Sequence, residues 1–143
     1  MGYNVYVYAF YGVNIPRDIL IKYFINAYQK EIKHEGFTFN PEVYIFQVLG
    51  IEKAFHDHFG YELTSSCRDY ENETKYYLVL GDRNLIYVYN TDSKTRANLP
   101  YDFDLSLLSK PFSCDKMQTK IIMEKLAISK FKISPWVICN QCL

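Results

Sequence analysis

The pattern of apolar and polar positions is clearest in two stretches where tyrosine alternates with aliphatic residues. Residues 5–8 read Val-Tyr-Val-Tyr, and residues 86–89 read Ile-Tyr-Val-Tyr. Successive side chains of a β-strand point to opposite faces, so each stretch would present one aromatic and one aliphatic face. A strand that is apolar on both faces is typical of the middle of a sheet. We therefore predict that both stretches are central strands of a mixed sheet with helices packed against it.

The first helix is predicted shortly after the first strand. The β-branched and aromatic run at residues 3–11 predicts the strand itself. Pro16 suits the first turn of a helix, where a backbone N–H is not needed, and Asp18 suits the positive end of the helix dipole. Apolar residues at helical spacing continue toward a natural stop at Gly36, so we predict a helix at 16–34.

Residues 37–60 allow two interpretations. The segment 43–49 alone resembles a buried strand. Residues 40–42 (Asn-Pro-Glu), however, are typical of a helix start, and an apolar stripe follows at helical spacing. We favour a helix at 41–58 that is broken or kinked at Gly50. Its inner stripe would consist of Tyr44, Val48, Ile51, Phe55 and Phe59.

The middle of the chain predicts an antiparallel meander over residues 61–90. Polar and apolar residues alternate at 61–68, as in a strand with one solvated face. Two further strands, 75–80 and 85–90, are separated by residues 81–84 (Gly-Asp-Arg-Asn), which have the composition of a turn. In the resulting hairpin, one face would carry Tyr76, Leu78, Leu80, Leu85, Tyr87 and Tyr89.

The last third of the chain predicts one helix and one strand. After a polar connection at 91–100, Ser113 is suited to cap a helix at 114–127. A final strand begins near Phe131 and is interrupted at Pro135, which is typical of a sheet edge. The helix is expected to turn Met117, Ile121, Ile122 and Leu126 inward, and Lys116, Lys120 and Glu124 outward.

Length and composition predict a single globular domain over residues 1–143. Of the 143 residues, 49% are hydrophobic and 22% charged, so the chain can bury a core without metal or disulfide support. The expected fold class is α+β, or mixed α/β, with about four to five strands and about three helices. The chain is rich in Ile, Lys, Asn, Tyr and Phe and has only four arginines, which is typical of AT-rich coding genomes such as those of many large DNA viruses and some parasites.

The ends of the chain and its hydropathy predict a cytoplasmic or nuclear protein. The N-terminus has no basic segment followed by an apolar core, so no secretory signal is expected. No window approaches the length of a membrane span, so no membrane association is expected. In such a compartment cysteines are reduced.

Charge is balanced overall but not along the chain. There are 16 basic and 16 acidic residues, which disfavours nucleic-acid binding by the chain as a whole. Residues 1–71 hold six basic and nine acidic side chains, whereas residues 72–143 hold ten and seven. We favour a solvated helix face over a phosphate-binding surface for the lysines of residues 110–132. The candidates for phosphate or nucleic-acid binding are Lys116, Lys120, Lys125, Lys130 and Lys132.

The cysteines suggest a weak metal or redox hypothesis. Cys139 and Cys142 form a C-x-x-C pair followed only by Leu143, so we do not expect the helix that activates a thiol in oxidoreductases. With Cys67 and Cys114 they could supply four zinc ligands, but structural zinc sites usually use two close pairs. We favour an incidental pair of thiols, and we predict neither a metal nor another cofactor.

Histidines and clustered carboxylates are weaker candidates still. On a helix, His56 and His58 would be separated by about 200° and could not share a metal. Exposed positions near a helix C-terminus explain them more simply. A nucleophile pairing of His56 with Cys67 is conceivable but has no support from spacing. Acidic residues at 69–73 and 102–104 are interpreted as solvated turns.

The favoured function is a non-enzymatic protein-interaction or oligomer-forming module, because interfaces are enriched in Tyr and no catalytic motif is present. The first alternative is nucleic-acid or phosphate binding through the lysines of 110–132. The second is a Cys/His-based enzyme or a zinc-binding protein. Base stacking on the tyrosines is disfavoured because neither strand has the RNP1 pattern. The candidate interaction residues are Tyr6, Tyr8, Tyr76, Tyr87 and Tyr89.

Overall fold

The computed structural model describes residues 4–66, 74–90, 96–97, 108 and 110–142. The fold is α+β, as predicted. The helices are α1 (Arg17–Ala27), α2 (Gln29–His34), α3 (Pro41–Val43), α4 (Ile51–Phe59) and α5 (Ser113–Lys125), and a π-helix at Tyr44–Leu49 continues α3. The strands are β1 (Asn4–Ile15), β2 (Leu63–Ser65), β3 (Tyr76–Asn90), β4 (Arg96–Ala97) and β5 (Ser134–Cys142).

Both tyrosine-alternating stretches lie inside the sheet, as predicted. The strand order is β2-β3-β1-β5, and β4 pairs with β3 on the side away from β1. Every pairing among the described strands is antiparallel, so the expectation of a mixed sheet is wrong in this respect. β1 continues beyond residue 11 because β3 supplies backbone partners as far as Ile15.

The hairpin predicted at residues 81–84 is wrong, because β3 runs through this segment as one strand of 15 residues. Ala9 pairs with Asn84 and Tyr11 with Leu80, so the three residues between Leu80 and Asn84 form a bulge opposite a single residue of β1. The Asn84 side-chain amide donates a hydrogen bond to the Ala9 carbonyl at 3.2 Å. Since β1 offers partners on both sides of the bulge, the turn-like residues do not reverse the chain.

Two buried clusters lie on opposite faces of the sheet. Residues alternate along β3, so that Leu78 belongs to one cluster while Tyr77 and Val79 belong to the other. The main core is formed with the helices and includes Val13, Ile15, Leu20, Phe24, Ile45, Phe55, Leu78, Ile122 and Met123. The second cluster contains Phe10, Tyr77, Val79 and Ile138, with Tyr8 and Trp136 packed against it.

The first two predicted helices are present but interrupted, whereas the third is the continuous helix α5. The helix expected at 16–34 breaks at Tyr28 into α1 and α2. Residues 41–59 are helical with a break at Gly50, which confirms the helix and rules out a strand at 43–49. Val48 was expected to face inward but is 55% exposed, because the wider π-turn shifts the phase of the stripe.

β5 is a longer strand than expected. It begins at Ser134 rather than near residue 131 and continues through Pro135 to Cys142. Proline is tolerated near the start of an edge strand, and β5 is the outermost strand beside β1 among the strands that the structure describes. No helix within the described ranges is long and apolar enough to cross a membrane.

Candidate interaction surfaces

The start of α5 is held by hydrogen bonds to one carboxylate. The Tyr61 hydroxyl donates to Asp115 Oδ1 at 3.0 Å, and the Phe112 backbone N–H donates to Asp115 Oδ2 at 3.2 Å. The second bond is the backward half of a capping box, whereas Ser113, the expected cap, is the first helical residue. Burial, followed by this contact with Asp115, raises the pKa of Tyr61. The Asp115 carboxylate therefore caps α5 and joins the start of this helix to Tyr61.

The inner side of α5 is set by four buried residues. Ile122, Met123 and Leu126 are at most 4% exposed and belong to the main core. Thr119 is fully buried, and its hydroxyl donates to the Asp115 carbonyl at 2.7 Å, so it brings no unpaired polar group into the core. These residues determine which side of the helix faces the solvent.

Met117 and Ile121 lie on the outer side of α5, which corrects the expectation that they face inward. Met117 is 68% exposed and Ile121 is 42% exposed. From Met117 to Leu126 the helix turns through about 180°, so the four residues predicted to be internal cannot share one stripe. The sequence therefore indicates that some of these four residues are exposed. Burial of Thr119 and Met123 in the structure shows which side of the helix faces the core.

Lysines flank this outward apolar pair. Lys116 and Lys120 lie on one side of Met117 and Lys125 on the other, and all three are exposed. None of them forms an ion pair with another residue in the described ranges. Lys130 and Lys132 are also exposed, in the connection from α5 to β5. We define the α5 surface as Met117, Ile121, Lys116, Lys120, Lys125 and the exposed Glu124, which lies between Lys120 and Met117 around the helix.

The predicted tyrosine set is divided between the two faces of the sheet. Tyr6 and Tyr8 are half-buried on the face of the second cluster, with ring centroids 6.3 Å apart and an angle of 25° between their planes. Tyr76 is 6% exposed in the main core on the other face. The backbones of Tyr87 and Tyr89 pair with β1. Their role in an interface stays a prediction.

Arg83 is a residue that sequence reasoning missed. Its guanidinium carbon lies 4.6 Å from the centre of the Tyr8 ring, and its Nε lies 2.8 Å from Glu62 Oε1. Its Nη1 also donates to Thr64 Oγ1 at 3.1 Å. Arg83 therefore joins the bulge of β3 to β1 and to the β2 segment. No local motif marks such a residue, because its partners are distant in sequence.

Comparison with protein-family models, curated proteins and solved structures finds no match for this chain. A functional assignment therefore rests on the side chains described above. The α5 surface combines exposed apolar side chains with three lysines that form no ion pair within the described ranges.

The cysteine hypothesis is only partly covered by the structure. Cys114 is exposed at the start of α5, and Cys139 is exposed on β5. Cys67 lies outside the described residues, and Cys142 is described by its backbone alone, so the four-cysteine zinc site stays a prediction. Within the described ranges, three or more potential metal ligands do not cluster anywhere.

The histidines lie on the helices where they were expected. His58 Nε2 is 3.1 Å from the Tyr28 hydroxyl, and its ring packs edge-on against Phe24 at 5.5 Å. His34 and His56 are exposed. His58 therefore helps to join α4 to α1, which is a structural role. The proposed partner of His56, Cys67, and the acidic residues at 69–73 and 102–104 lie outside the described residues.

Proposed function

We propose that this protein is a non-enzymatic interaction module that binds an acidic amphipathic helix of a partner protein through the α5 surface. The observation that carries the proposal is the outward position of Met117 and Ile121 between exposed lysines. A helix with apolar residues on one side and Glu or Asp beside them would bury both side chains and face the lysines.

The charge around α5 favours an acidic partner over a neutral one. Six lysines occur between residues 110 and 132, against only Asp115 and Glu124. Both carboxylates keep their charge, Asp115 at the start of α5 and Glu124 exposed near its end, so the six lysines leave the segment with a net charge of +4 (six minus two). Opposite charge on the partner would accelerate association and orient it.

The apolar pair favours a protein partner. Met117 and Ile121 are four residues apart, so they are neighbours on the outer surface of α5 and form one apolar patch. Methionine is flexible and polarizable, so it adapts to varied apolar surfaces and is frequent at binding sites for amphipathic helices. A surface that bound only phosphate would gain nothing from these two side chains.

The test uses a synthetic helical peptide with Leu at i, i+3, i+4 and i+7 and Glu at the other positions. We expect binding that weakens with added salt, because exposed charge pairs are screened. Lys116→Glu with Lys120→Glu should weaken binding by about tenfold or more, and Met117→Ser with Ile121→Ser by a similar factor. Isothermal titration calorimetry or fluorescence anisotropy would measure both.

Matched controls lie elsewhere on the chain. Lys22→Glu with Lys33→Glu reverses two exposed lysines of α1 and α2, and Phe39→Ser removes a fully exposed aromatic ring. Both controls should leave the affinity for the acidic peptide nearly unchanged. Equal binding of a peptide with Lys in place of Glu, or equal weakening by the controls, would contradict the proposal.

Nucleic-acid binding is the second candidate, favoured by the exposed lysines without described ion pairs. The two candidates differ in what they require of the apolar pair. A single-stranded oligonucleotide that binds with a steep salt dependence, and loses affinity on lysine reversal but not on Met117→Ser with Ile121→Ser, would support this alternative.

A further inference from the structure

Among the described strands, β5 is a long edge strand that lacks the features that normally protect such edges. It pairs with β1 over nine residues with an uninterrupted register from Asn4–Cys142 to Gly12–Ser134. No described strand lies on its other side. Residues 134–142 (Ser-Pro-Trp-Val-Ile-Cys-Asn-Gln-Cys) contain no charged side chain. Protected edges usually carry lysines, a central proline or a bulge, whereas here the proline is the second residue.

We propose that β5 pairs with β5 of a second copy of this chain, antiparallel about a twofold axis near the middle of the strand. The two sheets then form one continuous sheet. In such an arrangement the residue on the axis faces the same residue of the other copy, and residues next to the axis are diagonal neighbours of their own counterparts. A charged residue there would face its own charge, which is destabilising, and β5 has none over its whole length.

The side chains at this edge also fit an added strand. Val137 is 50% exposed although its partner on β1, Ala9, is fully buried. On the other face of β5, Trp136 is half-buried beside the second cluster, near Tyr8. A strand added beside β5 would cover both Val137 and the outer side of Trp136, which increases apolar burial on both faces of the sheet.

This inference is independent of the α5 surface, because the two involve different residues. Val137 lies on β5, whereas Met117 and Ile121 lie on α5. A protein that dimerises and does not bind the acidic peptide would contradict only the proposed function. A monomer that binds the peptide would contradict only the β5 pairing.

The first test is the mass of the full chain by light scattering over a range of concentrations. We expect the mass of the 16.9 kDa chain to double as concentration rises. Val137→Lys should shift the protein to the monomer, since it places like charges near the axis, whereas Val137→Thr should remain a dimer because Thr is uncharged and suits a strand. Circular dichroism checks that each variant is folded.

Mixing charge variants identifies the strand that pairs. Val137→Lys and Val137→Glu should each be monomeric, and an equimolar mixture should recover the dimer because the opposite charges meet across the axis. Hydrogen exchange on the unmodified chain gives a readout without substitution: amides of residues 134–142 should become more protected as concentration rises.

Three results would overturn the β5 pairing. They are a monomer at every concentration, a dimer that is unaffected by Val137→Lys, and amide protection in β5 that does not depend on concentration.

Discussion

At the scale of single residues, Gly12 is required by close packing of two strands. A Cβ at this position would overlap the backbone carbonyl oxygen of Leu78 and lie 3.2 Å from Cε2 of Phe10. The Gly12 carbonyl also accepts a hydrogen bond from the Trp136 indole N–H at 3.0 Å. Gly12 thus lies where β3, β1 and β5 meet, although in the sequence it resembles the end of a strand.

Gly12→Ala is therefore expected to lower the free energy of unfolding by about 3 kcal/mol or more, because the obstructing atoms belong to backbone that cannot rotate away. Urea denaturation would measure the loss. Gly81→Ala is the control: Gly81 has φ +83° and open space around it, so the cost should be about 1–2 kcal/mol from backbone conformation alone. Equal losses in the two variants would contradict the packing argument.

A second prediction at the scale of single residues concerns Arg83. Arg83→Met keeps a long apolar side chain but removes the bonds to Glu62 and Thr64 and the charge over Tyr8. Because the Arg83 side chain is 31% exposed, solvent screening limits the expected loss to about 1–2 kcal/mol.

Arg17→Met is the matched control for Arg83→Met. Arg17 also lies over an aromatic ring, that of Phe46, but its nearest contact with Glu42 is 3.8 Å. The cost should therefore stay below about 1 kcal/mol. If chemical denaturation gave equal losses for the two arginines, the short bonds of Arg83 would contribute nothing measurable.

At the scale of elements, β3 shows how far local patterns predict a strand. The alternation at 86–89 correctly predicted an interior strand, since periodicity is a local property. The residues at 81–84 have the composition of a turn, yet they form a bulge because β1 is long enough to pair with β3 on both sides of it. Turn composition permits a reversal, and a distant partner decides whether it occurs.

The neighbouring tyrosines of β3 predict how stability depends on pH. Tyr76 and Tyr77 are each 6% exposed, on opposite faces of the strand, and burial raises the pKa of both. An unperturbed tyrosine, as in the unfolded chain, has a pKa of about 10. Below that pH both hydroxyls are protonated in the folded and in the unfolded state, so they contribute no pH dependence to stability. Above that pH the unfolded chain loses these protons first, so stability should fall as pH rises.

Tyr77→Phe should reduce this alkaline loss, because Phe cannot ionise. Urea midpoints at about pH 8 and about pH 10.5 would measure it in the variant and the unmodified chain. At about pH 8 Tyr77 is protonated in the unmodified chain, so any difference between the variant and the unmodified chain at that pH measures the effect of the lost hydroxyl on packing. An unchanged difference between the two midpoints would show that Tyr77 does not contribute to the alkaline loss.

The α5 surface was only partly predictable at the element scale. The exposed positions of Lys116, Lys120 and Glu124 followed from the helical period. The outward positions of Met117 and Ile121 did not, because apolar residues occupy more than half of the helix circumference. Which of them are buried depends on how the helix is rotated against the sheet. That rotation is set by Tyr61 and the residues packed with Ile122.

At the scale of the whole molecule, the single-domain organisation stays a prediction, and so do the cytoplasmic or nuclear location and the viral origin suggested by composition. The surfaces proposed for binding come from the second half of the chain, residues 72–143, which holds ten basic and seven acidic side chains. The α5 surface would bind a charged partner and β5 a second copy. Both proposals depend on apolar side chains that the fold leaves exposed, Met117 and Ile121 on α5 and Val137 on β5.

The amino-acid sequence by itself determined the α+β class, the interior strands and the approximate places of the helices, because these depend on local periodicity and short-range caps. Only the tertiary structure decided the antiparallel order β2-β3-β1-β5, the bulge in β3 and the outward side of α5. Those features depend on residues far apart in the chain, as the bond from Trp136 to Gly12 illustrates. Their energies arise only when the distant segments meet.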